Sequence, residues 1–155
     1  MRKETSADCS LISSGSIRAD QIYEAGRVFT YGDLYDIYPF DKELCLVEIL
    51  GKDLLLGLEN GVSQAPAFEG RFPQVSNIFF EYSLELPSGS RINPATVKVA
   101  GAPLDLTKIY KLAITNFLSE GKDGYEPFKG RHHLIDENSR KKMRDLLLEF
   151  LGLHI

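Results

Sequence analysis

The stretch Tyr110-Lys111-Leu112-Ala113-Ile114-Thr115-Asn116-Phe117-Leu118-Ser119-Glu120-Gly121-Lys122-Asp123-Gly124-Tyr125 decides the fold. Tyr110 to Thr115 has strand composition, and Gly121 and Gly124 then bracket Asp123 in a turn. A strand placed there delivers Asn116 and Phe117 at its C-terminal end. Upstream, Leu44 to Leu50 is apolar and partly alternating and reads as a second strand. Gly51-Lys52-Asp53 then opens a helix with Leu54, Leu55, Leu58 and Val62 on one face. Asp8 to Ile12 reads as a short strand entering a turn at Gly15. Thr30 is placed to cap a short helix, with Asp33 in its favourable first turn and Pro39 as its stop.

Phe68 to Asn77, with Gly70 and Pro73, reads as a loop. Ile78 to Leu84 is an aromatic-rich strand, Pro87 to Ser90 a turn, and Thr96 to Val99 a strand ending at Gly101. From Asn138 to about residue 152 the pattern predicts an amphipathic helix, with Met143, Leu146, Leu147, Phe150 and Leu151 as its apolar stripe. Lys141, Lys142, Arg144 and Glu149 cover the opposite face. Strands joined by turns as well as by helices favour an α+β fold, a mixed β-sheet with packed helices, over a doubly wound one. At 155 residues the chain reads as a single domain, 1–155, large enough to bury a core.

The bulk numbers exclude several classes of partner. A net charge of −4 gives no overall attraction to nucleic acid or to an anionic membrane, so neither is expected as a partner. The apolar runs are too short to span a bilayer, and no apolar segment of signal-peptide type follows Met1. Cys9 and Cys45 lie in strand-like runs and read as buried thiols rather than a disulfide framework.

Two aromatic residues stand out at element ends. Phe40 closes Thr30-Tyr31-Gly32-Asp33-Leu34-Tyr35-Asp36-Ile37-Tyr38-Pro39-Phe40, and Phe117 follows the strand that ends at Thr115. Ser14-Gly15-Ser16-Ile17-Arg18 adds an Arg after a glycine turn, and Asp123 adds a carboxylate beside another. Together they suit a nucleoside phosphate: rings to stack on a base, a carboxylate for ribose hydroxyls and a guanidinium for phosphate. Each residue also has a plainer reading. Phe40 and Phe117 taken singly are core residues, Arg18 a surface charge, and Asp123 a turn Asp bonding its own backbone. Arg71-Phe72-Pro73 is read as a packing and turn element with no site role.

Catalytic chemistry is hard to find. The chain has three His, and adjacent His132 and His133 on an extended segment point to opposite faces, a poor chelate. No Gly-x-Ser-x-Gly or Walker A pattern occurs. No catalytic residue and no metal ligand is assigned.

Seven pieces in register carry a resemblance. They are Ser14-Gly15-Ser16-Ile17-Arg18-Ala19-Asp20; Thr30 to Leu34 with Pro39-Phe40; Gly51 to Leu55; Glu59 to Ser63; Gly70 to Ser76; Gly101 to Asp105; and Asn116-Phe117 with Asp123-Gly124-Tyr125. From about residue 7 to about residue 128 the chain resembles the C-terminal, substrate-recognition domain of the 5′-nucleotidase / UDP-sugar hydrolase family. The resemblance implies that Phe40 and Phe117 sandwich the base, that Asp123 holds the ribose and that Arg18 reaches the phosphate side. Ser13 stands where the family often has an Asn that touches the base, so that contact is lost or relayed by water. Lys122 stands where the family often has Gly, which is tolerated if its φ is negative and strained by about 1 kcal/mol if positive.

The family's metal motifs, Asp-x-His and Gly-Asn-His-Asp/Glu, do not occur. The resemblance therefore implies two divalent metal ions in an N-terminal metallophosphoesterase domain outside this chain, joined by a helix upstream of residue 1. No cofactor is expected within the chain, and by itself it is expected to be inactive. The expected ligand is a nucleoside 5′-monophosphate or related nucleotide, including UDP-sugars and cyclic nucleotides. The rival reading is a stand-alone nucleoside-binding or interaction module without catalysis.

Overall fold

The computed structural model describes residues 1–152. In chain order the elements are α1 (Arg2–Thr5), β1 (Cys9–Ser13), α2 (Tyr31–Ile37), β2 (Leu44–Leu50), α3 (Gly51–Val62), β3 (Pro73–Ser76), β4 (Ile78–Phe79), β5 (Lys98–Val99), β6 (Ala102–Pro103), β7 (Ile109–Thr115), α4 (Asn116–Ser119) and α5 (Met143–Leu151). Four strands form a mixed sheet in the order β2-β7-β1-β3. β7 runs antiparallel to β2 and parallel to β1, and β1 runs antiparallel to β3. Beside it β4, β5 and β6 make a small antiparallel sheet. The architecture is the expected α+β one.

The alternation along β2 builds two cores. Cys45, Val47 and Ile49 face one side of the sheet, where they meet Leu54, Leu58 and Val62 of α3 with Tyr125 and Phe128. Leu44 and Leu46 face the other, where Tyr38, Met143 and Leu146 close a smaller cluster over Ala113. Cys9 and Cys45 are both buried and unpaired with each other. α2 begins as a capping box: the Thr30 hydroxyl accepts from the Asp33 N–H while the Asp33 carboxylate accepts from the Thr30 N–H. Arg144 of α5 lies with its guanidinium 3.8 Å from the Tyr35 ring centroid, tying α5 to α2.

Several elements differ from the sequence expectation. The segment read as a loop over 68–77 contains β3, because Pro73 takes the first position of an edge strand, where its missing N–H is harmless. The strand expected over Ile78–Leu84 shrinks to Ile78–Phe79 plus an isolated bridge from Tyr82 to Ile92. The strand expected over Thr96–Val99 shrinks to Lys98–Val99, and a two-residue turn at Ala100 (φ 53°) and Gly101 (φ 80°) joins it to β6.

The tail helix starts at Met143 rather than Asn138. Residues before it are used instead to line the outer edge of β2. His132 C=O accepts from the Glu48 N–H at 3.0 Å, Leu134 N–H donates to Leu46 at 2.8 Å, and Lys141 C=O accepts from Leu44 at 2.9 Å. Within the helix Met143, Leu146 and Leu148 are buried, whereas Phe150 of the expected stripe is 79% exposed. The last three residues of the chain, beyond the expected helix end, lie outside the described residues.

Candidate functional site

Topology brings three distant segments to one edge of the sheet. β1 and β7 are parallel, so their C-terminal ends lie together, and β2 is antiparallel, so its N-terminal end joins them. There the turn after β1 supplies Arg18, the approach to β2 supplies Phe40 and Lys42, and the exit from β7 supplies Phe117 and Asp123. These five residues line a cavity of about 450 Å³, together with Gly15, Gly70, Asp41, Asn116 and Glu120.

Each side chain has a distinct support. Phe117 packs against the α3-side core. Phe40 is half-buried and follows Tyr38, which is 3% exposed in the smaller cluster. The two loops are stapled together, because Asn116 N–H donates to the Glu43 C=O at 2.9 Å and Asn116 Oδ1 accepts from the Glu43 N–H at 3.1 Å. Arg18 donates from its own N–H to the Ile37 C=O at 2.7 Å and from Nε to the Gly15 C=O at 2.9 Å. Its guanidinium carbon lies 5.2 Å from the Phe40 ring centroid. Gly15 N–H in turn donates to the Gly70 C=O at 2.8 Å, and a Cβ on Gly15 would come within 3.0 Å of the Gly70 Cα.

The Asp123 loop is built on left-handed backbone. Gly121, Asp123 and Gly124 have φ of 82°, 54° and 79°. Lys122 is not among the positive-φ residues, so its departure from glycine is accommodated without strain. Asn60 Nδ2 donates to the Asp123 C=O at 3.0 Å, and a Cβ on Gly124 would meet the Asn60 Oδ1 at 2.5 Å. Tyr125, fully buried, donates its hydroxyl to the Arg71 C=O at 2.7 Å. Arg71 thus anchors Tyr125 through its backbone carbonyl, and Pro73 opens β3. The Asp123 side chain makes no salt bridge among the described residues, whereas Asp41 pairs with Lys142 at 2.9 Å. That lysine holds the Asp41 carboxyl below the usual carboxylate range.

Ser13 does not join the others. It is 1% exposed, its hydroxyl lies 3.2 Å from that of Ser16, and it does not line the cavity.

The residue that sequence reasoning missed is Lys42. Its Nζ lies 4.9 Å from the Phe40 ring centroid and 4.3 Å from that of Phe117, and donates to the Ser16 hydroxyl at 2.9 Å. One ammonium lies over both rings, and both line the same cavity. The two distances set an upper limit of about 9 Å on the centroid separation, a limit that permits the about 7–8 Å a planar group needs to contact both faces. Burial lowers the Lys42 pKa, Asp123 opposes that shift and Arg18 adds to it. Its only sequence signal is a cation two residues after an aromatic, too common to single out.

Nothing in the cavity forms a metal centre. Among the described residues no group of three or more His, Cys, Asp or Glu is placed to hold an ion. His133 bridges to Val47, and its Nδ1 lies 3.1 Å from Arg140. Burial and that arginine lower its pKa. The residues present do not fit a dinuclear metal site.

A family model described as 5′-nucleotidase, C-terminal domain, matches residues 1–130. The chain belongs to that family. The match slightly exceeds the span of the resemblance read from the motifs. Protein UshA of Escherichia coli is 32% identical over 121 residues, covering 78% of this chain and 20% of the relative. The 5′-nucleotidase of Homo sapiens is 27% identical over 137 residues, covering 83% of this chain and 24% of the relative. The crystal structure of the 5′-nucleotidase precursor from Thermus thermophilus superposes with a TM-score of 0.76 at 30% identity, over 92% of this chain and 27% of that one. The α+β fold is that of 5′-nucleotidase C-terminal domains. The chain therefore corresponds to about a fifth to a quarter of each of these hydrolase relatives.

Proposed function

We propose that this domain binds a nucleoside 5′-monophosphate or related nucleotide and positions it for phosphate ester hydrolysis. The base enters between Phe40 and Phe117, the ribose hydroxyls donate to Asp123, and Arg18 meets the phosphate side. The carrying observation is the single Lys42 ammonium in contact with both rings, in a cavity that Asp123 also lines. Hydrolysis belongs to a metal-bearing N-terminal domain outside these residues, consistent with the larger size of the relatives. This domain supplies alignment, a contribution from proximity rather than from bond breaking.

Binding by the 155-residue chain alone is expected to be weak. Two aromatic stacks at about 1–3 kcal/mol each and one charged hydrogen bond at about 1.5–3 stand against an association cost of at least ~4 kcal/mol. Towards the favourable end of those ranges the balance lies near −4 kcal/mol, a millimolar dissociation constant. An NMR titration with AMP should shift amides around Phe40, Phe117 and Asp123 together, without phosphate release when Mn²⁺, Zn²⁺ or Mg²⁺ is added. Shifts confined elsewhere, or no shift at 10 mM-scale nucleotide (on the order of ten times the expected constant), would favour an interaction module instead. Metal-dependent phosphate release that His132→Ala and His133→Ala abolish would place catalysis in this chain.

A further inference from the structure

The slot between the two rings already holds a charged group. The Lys42 ammonium touches both aromatic faces and is aimed there by the Ser16 hydroxyl, itself backed by Ser13 in a fully buried pair. The root of the side chain cannot retreat. The Lys42 C=O accepts from the Met143 N–H at 2.8 Å, and its neighbour Glu43 exchanges two hydrogen bonds with Asn116. A base that stacks between the rings must therefore push the ammonium out of the space between them. The flexible four-carbon stem, fixed at its base, leaves the ammonium beside the edge of that same base.

An ammonium has three donors and no acceptor. Beside the exocyclic oxygen at the 6-position of hypoxanthine or guanine, or the 4-position of uracil, it makes a charge-assisted hydrogen bond. Beside the exocyclic amino group that adenine or cytosine carries there, two donors face each other. We propose that Lys42 is a specificity-determining residue that makes this domain prefer oxo bases, hypoxanthine, guanine and uracil, over the amino bases adenine and cytosine. The inference rests on the nucleotide-binding reading above and adds to it the class of base. Lys42 also takes the place of the base reader that Ser13, turned inward, does not supply. The phosphate and ribose contacts are the same for all these ligands, so they do not contribute to the preference.

The test uses matched pairs that differ only in the edge group. IMP is compared with AMP, and UMP with CMP, by NMR titration of the 155-residue chain at constant ionic strength. The oxo member of each pair is expected to bind about tenfold tighter. Lys42→Met, which keeps the stem and removes the donors, should bring both ratios to near one. Lys42→Arg, which keeps the donors, should retain the preference. A purely structural role for Lys42 would alter all four affinities alike and leave the ratios unchanged. Ratios near one in the unsubstituted chain, or an oxo preference that survives Lys42→Met, would overturn the inference while leaving nucleotide binding intact. Absence of binding by all four nucleotides would overturn the nucleotide reading and this inference with it.

Discussion

The two walls of the aromatic slot are built very differently. Phe117 follows directly on a seven-residue strand paired on both sides, and its ring rests on the larger core. Phe40 follows a seven-residue helix, and its ring meets Arg18 and Lys42 rather than either core. One wall thus rests on the core with Lys42 over its ring, and the other is held by two cations. A ligand between them meets a fixed platform on one side and an adjustable one on the other. Domains that must admit and release a substrate gain from that asymmetry, because local opening is drawn from the less stable element.

The sharpest way to break this comparison is to remove each ring. Phe117→Ala should lower global stability by about 2–3 kcal/mol, somewhat less than deletion of a fully buried Phe. Phe40→Ala should lower it by about 1 kcal/mol or less, mostly through lost cation–π contacts. Both should weaken nucleotide binding by a similar about 1–3 kcal/mol. Denaturant midpoints and NMR titrations read the two quantities separately, and equal stability losses would show that the walls are equivalent.

A smaller effect is expected at Asp123, which shares the loop of the fixed wall without filling it. Asp123→Asn should weaken binding by about 1.5 kcal/mol through loss of the charged acceptor. The unfolding midpoint should hardly move, since the structural tie of that loop is the Asn60 bond to the Asp123 backbone. A large drop in stability would instead make the carboxylate a turn element.

The smallest effect should appear in acid, at the adjustable wall. The Thr30 hydroxyl and N–H donate to Asp33, as does Arg27, and they hold its carboxyl below the usual range. A carboxyl with its folded pKa depressed stabilises above its unfolded value of about 3.9, and that stabilisation fades as pH falls through the folded value. Amide exchange in α2 should therefore accelerate below about pH 4 before exchange in β7 does. Asp33→Asn should remove this α2-specific acid step, and simultaneous loosening of both elements would dissolve the distinction.

Much of the fixed framework was legible in the sequence, because period-2 and period-3.6 patterns report burial directly. β2 and α3 have the expected bounds, and the Thr30–Asp33 cap is a local signal that the structure realises. β3 was hidden because its identity depends on pairing with β1, sixty residues away in sequence, and its leading Pro73 looks like a breaker. The tail was misread for a related reason. Its helical stripe is local, but the diversion of residues 132–142 along β2 depends on an exposed strand edge that no local pattern reveals. At the site, Phe40, Phe117, Asp123 and Arg18 line one cavity. Lys42 could not be found from the motifs, since its importance lies in where two distant rings place it, and Ser13, the last residue of β1, is buried with its hydroxyl beside that of Ser16.

The course of the tail along β2 has a further consequence, for self-association. β2 pairs with β7 on one side, and residues after the family-matched span satisfy backbone groups on its other side. A domain trimmed at residue 130 would keep the whole family signature and yet present an open, apolar strand edge to any passing copy of itself. The same cut would release the Met143 bond to Lys42, so a clean-looking boundary would both loosen the slot and invite edge-to-edge assembly.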